Sequence, residues 1–148
     1  MTKKPLLICL LMIMVIFLLS ACSVRHRVSN TASREYSKEV LTIDNIEKVQ
    51  IYFLRPSVHI DVYISEELNA DNEKLLLELT KEYVIVENME VIARAVGWND
   101  VIWSAVLEIR SVKEDLRLKV YEADYFKTTH ADDHPEENID AYKTWKEW

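Results

Sequence analysis

The sequence predicts an α+β domain: an antiparallel sheet of about four strands with one or two helices packed on one face. Two stretches in which apolar and polar residues alternate flank a central stretch in which apolar residues recur every three to four positions. Two strand pairs around helices, in the order β-β-α-(α)-β-β, are typical of this class.

The first strand pair is predicted within residues 46–64. Arg55, Pro56 and Ser57 interrupt the alternation and indicate a turn. The two strands should therefore pair as an antiparallel hairpin with one buried and one solvent-facing side. The apolar positions of the buried side are Val49, Ile51, Phe53, Val58, Ile60, Val62 and Ile64.

The central stretch predicts one helix and a second, shorter one. Asn69 or Asp71 is suited to cap the first helix and Asn88 the second, because such side chains accept hydrogen bonds from the free N–H groups of a first turn. Gly97 is suited to end the second helix in the left-handed conformation. The apolar positions are Leu75, Leu76, Leu79 and Tyr83, then Val91, Ile92, Ala95 and Val96.

The second strand pair is predicted from Val101 to Ile109 and from Leu116 to Val120, with a polar turn between them. The second of these strands can extend to Phe126. The C-terminal residues expected to dock on the sheet are Ile139, Tyr142, Trp145 and Trp148.

Glycine is almost absent, since Gly97 is the single one in the sequence. Phosphate-binding loops of the Walker or dinucleotide type need several glycines, so these nucleotide-binding motifs are excluded. Tight Asn-Gly hairpin turns are excluded as well. The connections are expected to use Asn, Asp, Pro and Ser instead.

The N-terminus has the composition of an export signal. Lys3 and Lys4 form a charged start, and 14 uncharged apolar residues follow from Leu6 to Leu19. A helix of that length rises about 21 Å, short of the roughly 30 Å hydrocarbon core of a bilayer. The pattern therefore favours a signal over a membrane span.

The apolar run ends in Leu19-Ser20-Ala21-Cys22, which resembles the lipobox of bacterial lipoproteins. The resemblance covers residues 1–22. It implies that Leu19, Ser20 and Ala21 are recognised by the signal peptidase and that the Cys22 sulfur carries a diacylglycerol. Two acyl chains are enough for stable anchoring. The alternative is an ordinary signal peptide or an uncleaved anchor in which Cys22 has no role.

Three segments are expected: a cleaved signal at 1–21, a lipidated cysteine with a polar tether at 22–45, and a single α+β domain at 46–148. The second segment is polar and weakly periodic, which is typical of a flexible tether. Its Arg25 and Arg27 lie next to the lipid site. They are expected either to contact anionic headgroups or only to add solubilising charge.

The chain is acidic, with a formal charge of −7. Residues 22–148 hold 16 basic and 25 acidic residues, a charge of −9. This balance disfavours nucleic acid as a partner. Cys9 would leave with the signal, so Cys22 would be the sole cysteine of the mature chain, and neither a disulfide nor a cysteine-based metal site is expected.

One candidate metal site lies near the C-terminus. His130 and His134, with Asp132 and Asp133 between them, have side chains that bind divalent cations if the segment is helical. Pro135 favours a solvated acidic loop instead.

Two further groups of residues are candidate binding or catalytic sites. His59 and Asp61, with Tyr63 beside them, share the outward side of a predicted strand and are candidates for an acid–base pair. The simpler interpretation is that they form an exposed polar surface. Five aromatic residues are candidates for a surface that stacks on sugars or cell-wall glycans. The alternative is that they pack in the core in the ordinary way. These aromatics are Trp98, Trp103, Tyr142, Trp145 and Trp148.

The leading hypothesis is an exported, lipid-anchored and non-catalytic interaction or accessory module. Its expected place is the outer face of the cytoplasmic membrane, or the outer membrane in a cell with two membranes. An envelope protein or cell-wall partner would add a strand at a sheet edge or contact the aromatic C-terminus. The alternative is a cell-surface solute- or glycan-binding protein, or an enzyme with an unrecognised site. No cofactor is expected.

Overall fold

Six strands form one sheet in the order β1-β2-β3-β4-β5-β6 in the computed structural model, which describes residues 24–128 and 136–148. The strands are β1 (His26–Arg27), β2 (Ile46–Leu54), β3 (Ser57–Ile64), β4 (Ser104–Ser111), β5 (Arg117–Asp124) and β6 (Trp145–Glu147). The helices are α1 (Thr31–Val40), α2 (Ala70–Tyr83) and α3 (Val86–Ala95). Within those two ranges, no helix has the length and apolar character needed to cross a bilayer.

The predicted α+β class is confirmed, with a wider sheet than expected. Neighbouring strands pair antiparallel except for the central pair, β3 and β4, which is parallel. The connection allows this arrangement, because α2 and α3 lie between these strands and parallel strands need a crossover of a dozen or more residues. The two predicted hairpins therefore join through a parallel pair.

The hydrophobic core lies between one side of the sheet and the helices. The pattern predicted for β2 and β3 is confirmed, because alternate apolar residues of both strands are buried. The strand residues of the core include Ile51, Phe53, Val58, Ile60, Val62, Ile64, Ala105, Leu107, Ile109, Tyr121 and Ala123. The helix residues include Tyr36, Val40, Leu76, Tyr83, Met89 and Ile92.

The prediction of a flexible tether is wrong for residues 24–45, because these residues fold onto the domain. Asn30 caps α1 by accepting a hydrogen bond from the Ser33 N–H at 2.8 Å. Tyr36 and Val40, one helical turn apart, are buried in the core. These are the only two large side chains of α1 that are buried. The α1 sequence therefore has too few apolar residues to show the three-to-four-residue spacing by which a helix is recognised.

The helix ends match the prediction in part. Asn69 caps α2 as predicted, accepting from the Asn72 N–H. The cap predicted at Asn88 is wrong: α3 begins at Val86, and the Asn88 side chain instead donates to the Tyr83 carbonyl. Gly97 follows the end of α3 with a φ of +69°, as predicted.

Two connections use the residue types expected in a chain without Asn-Gly turns. Asn45, before β2, and Asp115, between β4 and β5, both have positive φ values. The start of the second strand pair differs from the prediction. The Trp103 N–H bonds to the Pro56 carbonyl, outside the strand ladder, and regular pairing of β4 begins at Ser104.

The C-terminal segment docks on the sheet through some of the predicted residues. Tyr142 is buried, Trp145 packs against the core, and Ile139 forms an isolated bridge with Phe126. The prediction is wrong for Trp148, which is 75% exposed although its N–H bonds to a β5 carbonyl.

Candidate functional site

The side of the sheet opposite the helices carries a group of charged and aromatic residues, which we call the open face. Alternation along β2, β3 and β4 directs six of these side chains away from the core, because successive residues of a strand point to opposite sides; Arg25, before β1, and Arg117, at the start of β5, reach the same face. The residues of the open face are Arg25, Tyr52, His59, Asp61, Tyr63, Glu108, Arg110 and Arg117.

Two carboxylates lie at the centre of the open face. Asp61 on β3 and Glu108 on β4 are register partners in the parallel pair. Their side chains are only 4% and 5% exposed. Neighbouring strands are about 4.8 Å apart, so two like charges lie side by side and need compensation.

Three arginines supply that compensation. Arg110 and Arg117 contact the two oxygens of Glu108, at 2.8 and 2.7 Å. Arg25, which precedes β1, contacts Asp61 at 3.3 Å. The N-terminal segment therefore completes the ion-pair network at the centre of the sheet, and we call these five residues the ionic cluster.

Aromatic rings cover the ionic cluster from the side. The ring of Tyr52 stacks on His59 with centroids 5.1 Å apart, and the Arg25 guanidinium lies 3.4 Å from the Tyr52 centroid. Lys48 lies 4.7 Å from the centroid of Tyr63. Such contacts between cations and rings add about 0.5–1 kcal/mol each at exposed sites.

Burial shifts the pKa values of two central residues in opposite directions. It raises the pKa of Asp61, and the neighbouring Glu108 charge raises it further, while Arg25 and Arg110 oppose the change. Burial lowers the pKa of His59, against the attraction of Glu108. Because the pKa of His59 is lowered from 6.5, the imidazole is neutral at pH 7.

The predicted pair of His59 and Asp61 shares the open face but is not joined by a hydrogen bond. Asp61 accepts from Arg25 and Tyr52. The Nδ1 atom of His59 is buried without a hydrogen-bond partner. The acid–base arrangement considered from the sequence is therefore not formed in this conformation.

A groove of about 460 Å³ lies elsewhere, between α3 and the segment that leads into β4. Its walls are held by backbone contacts: the Trp98 indole donates to the Val101 carbonyl at 3.0 Å, and the Tyr142 hydroxyl donates to the Ile102 carbonyl. Glu90 and Arg94 form an ion pair along its α3 side. The remaining lining residues include Val86, Met89, Ala93, Asn99, Asp100 and Tyr125.

The predicted aromatic platform is divided among several places. Trp98 and Tyr142 line the groove. Trp103 packs edge-on against Phe126 at the end of the sheet where β4 begins. Trp145 packs against the core from β6, so the indoles do not form one continuous surface.

The other predicted site residues lie outside the described residues. These are Leu19, Ser20, Ala21 and Cys22 of the signal and lipidation site, and His130, Asp132, Asp133 and His134 of the candidate metal site. Across 24–128 and 136–148, no group of three or more His, Cys, Asp or Glu side chains is arranged to hold a metal ion.

Sequence reasoning missed the role of Glu108, Arg110 and Arg117. The alternation of β4 places Glu108 outward, which is correct, but it does not reveal that the carboxylate is buried. The usable signal is the position itself: a charged residue between Leu107 and Ile109 in the middle of a strand needs a partner. Comparison with known proteins adds no relative, because no family model, curated protein or solved structure matches the chain.

Proposed function

We propose that this chain is an exported lipoprotein, anchored through a lipid on Cys22, whose domain is a non-catalytic module that binds a protein partner with its open face. The anchor rests on the sequence, and the interaction module rests on the composition of the open face. The two parts have separate tests.

The order of the N-terminal features supports the anchor. A charged start, a short apolar run and a lipobox-like ending succeed one another in residues 1–22. We expect intact-mass analysis of protein extracted from membranes to show a chain that begins at Cys22 and carries added acyl mass. Cys22→Ala should leave the precursor uncut or release the protein from the membrane. An unmodified Cys22 would contradict the proposal.

The single observation that carries the binding proposal is the joint presence of arginine and half-buried tyrosine across the open face. Tyr52 and Tyr63 are partly exposed beside Arg110 and Arg25. Tyrosine and arginine are enriched among the residues that dominate the affinity of protein interfaces. The ion pairs already fix these side chains, so a partner would lose less conformational entropy on binding.

Site-specific photo-crosslinking in the native membrane tests the binding face. We expect a crosslinker at Tyr63 to give a discrete protein adduct, and a crosslinker at Glu82, exposed on α2, to give none. Lys48→Glu, next to Tyr63, should weaken the adduct. Equal crosslinking from both positions, or an adduct unaffected by Lys48→Glu, would remove the open face as the binding surface.

The groove supports a second candidate, the binding of a small solute or glycan. Its volume of about 460 Å³ falls in the range of small-molecule sites, about 300–1,000 Å³, and it combines apolar walls with the charged Glu90 and Arg94. We expect a cell-wall saccharide fragment to raise the melting temperature if this candidate is correct. Ala93→Trp should block the groove and abolish the shift, and a shift that persists would exclude it.

A further inference from the structure

One end of the sheet lies beside the point where the chain would leave the membrane. His26 pairs with Phe53 and Arg27 with Tyr52, so the antiparallel register directs the residues before His26 toward the β2–β3 turn at Arg55. We call this end of the sheet, with Val24, Arg27, Arg55, Trp103 and Lys127, the anchor end.

The distance from the proposed lipid to this end is short. Cys22 precedes His26 by four residues, and four residues span at most about 14 Å even when fully extended. A domain on a flexible tether at residues 22–45, as predicted from the sequence, would sample many orientations. Because residues 24–45 are folded instead, a lipid on Cys22 would hold the anchor end next to the headgroups.

The apolar residues of the anchor end suit that location. Val24 is 64% exposed, and Trp103 is 41% exposed. The Trp103 ring meets Phe126 edge-on, with centroids 6.4 Å apart. Tryptophan is enriched at the membrane–water interface, because its ring is apolar while its N–H remains hydrated.

Three exposed basic residues of the anchor end can face an anionic surface, although the chain as a whole is acidic. Arg27, Arg55 and Lys127 are exposed, and each basic residue near an anionic bilayer contributes about 1 kcal/mol. The Arg55 guanidinium lies 4.7 Å from the Trp98 centroid, which holds it at this end. Acidic residues lie here as well: Asp100 is exposed, Asp140 and Glu137 lie near Lys127, and Asp124 pairs with Lys146 at 3.7 Å.

The opposite end of the sheet lies one strand length away, so contact of the anchor end with the bilayer gives a definite orientation that labels at the two ends can report. The β4–β5 turn contains Lys113, Glu114 and Asp115 and lies one strand length from the anchor end. The eight residues of β4 rise about 26 Å. When the strands stand upright on the bilayer, Val112 and Leu116, which are exposed in this region, lie away from the surface that Trp103 contacts.

We infer that the anchor end rests on an anionic lipid surface, with Trp103 at headgroup level and Arg27, Arg55 and Lys127 facing acidic headgroups. The strands then stand upright on the membrane, and the open face remains accessible from the side. This inference rests on the proposed lipidation of Cys22, and it adds an orientation that lipidation alone does not require.

Two matched lysine-to-cysteine variants test the orientation, Lys127→Cys at the anchor end and Lys113→Cys in the β4–β5 turn. If Cys22 is lipidated and the signal is removed, the new cysteine is the sole free thiol and accepts one fluorophore. The lipid-modified protein is purified from membranes and reconstituted in phosphatidylcholine vesicles containing phosphatidylglycerol and a headgroup quencher. We expect several-fold stronger quenching for Lys127→Cys than for Lys113→Cys. Equal or reversed quenching would overturn the inference.

A charge reversal tests the contribution of acidic headgroups. Arg55→Glu, combined with Lys127→Cys, should lower the quenching toward the value seen in vesicles of phosphatidylcholine alone, while the lipid keeps the protein on the vesicles. Lys81→Glu, exposed on α2, should leave the quenching unchanged. If both charge reversals change the quenching equally, acidic headgroups do not contribute to the orientation.

The same samples separate a failure of the orientation from a failure of the anchor. A protein that lacks acyl mass and does not float with the vesicles contradicts the lipidation of Cys22 and the orientation with it. A protein that carries acyl mass and floats, but whose two labels are quenched equally, contradicts the orientation alone.

Discussion

Asp61 and Glu108 lie side by side across the parallel strands β3 and β4, and both are buried by arginine and tyrosine side chains rather than by another layer of the fold. Their partners differ. Glu108 binds two guanidinium groups at under 3 Å, whereas Asp61 binds Arg25 at 3.3 Å and Tyr52 at 3.4 Å. The two carboxylates should therefore contribute unequally to stability.

Glu108→Gln should lower the free energy of unfolding by about 1–3 kcal/mol, because it leaves Arg110 and Arg117 without their shared acceptor charge. Asp61→Asn should cost less, because Asp61 has one guanidinium contact at 3.3 Å whereas Glu108 has two at under 3 Å, and either change removes the repulsion between the carboxylates. Denaturant unfolding at pH 7 measures both variants. A larger loss for Asp61→Asn than for Glu108→Gln would contradict the expected order.

The raised pKa of Asp61 predicts a pH dependence with a definite sign. The folded state binds the Asp61 proton more tightly than the unfolded state does. Its contribution favours folding below the unfolded pKa, near the usual value of 3.8, and is lost as the pH rises through the folded pKa. The stability of Asp61→Asn relative to wild type should therefore increase as the pH rises through this interval. Unfolding curves measured across the acid range test the sign, and a relative decrease would contradict it.

Glu73 should have the opposite pH dependence. Burial alone would raise its pKa, but hydrogen bonds from Lys119, at 2.6 Å, and from Tyr121 lower it below the usual 4.5. The resulting stability is present above the unfolded pKa and is lost as the pH falls through the folded pKa.

Glu73→Gln should thus cost about 1.5–3 kcal/mol at pH 7, as is typical for hydrogen bonds to a charged group, and much less in acid. Glu78→Gln is the matched control on the same helix, because Glu78 is exposed and its contact with Lys74 is 4.0 Å long. We expect the control to change stability by less than about 0.5 kcal/mol at either pH. If Glu73→Gln lowers the free energy of unfolding by the same amount at both pH values, the effect comes from packing and not from the charge of Glu73.

The sequence predicts local features of the fold better than relations between distant segments. Alternation in β2 and β3 and the cap at Asn69 are visible because each depends on neighbouring residues. The pairing of Asp61 with Glu108 joins residues far apart in the chain, and it depends on a parallel register that only the packed helices impose. For the same reason, the sequence does not reveal the ion pair of Arg25, because its partner Asp61 lies two strands away.

Helix α1 provides the sharpest test of where the domain begins. Tyr36 stacks on Tyr83 with centroids 4.6 Å apart, and its hydroxyl shares a 2.8 Å hydrogen bond with Thr80. Tyr36→Ala should lower the free energy of unfolding by about 3–5 kcal/mol, the usual cost of deleting a buried aromatic ring. Tyr36→Phe should cost only about 0.5–1.5 kcal/mol, because it keeps the stacking and removes one hydrogen bond.

The control for this test is Glu35→Ala, an exposed neighbour on the same helix, which should stay within about 0.5 kcal/mol of wild type. A flexible tether would instead give the same small effect for Tyr36→Ala and Glu35→Ala. Denaturant unfolding of the three variants distinguishes the two cases. Equal small effects of the two alanine variants would also mean that the domain can rotate freely relative to the lipid. The reason for a fixed orientation at the membrane would then be lost. The stability that Tyr36 gives to α1 is therefore a condition for the placement of Trp103 on the lipid surface.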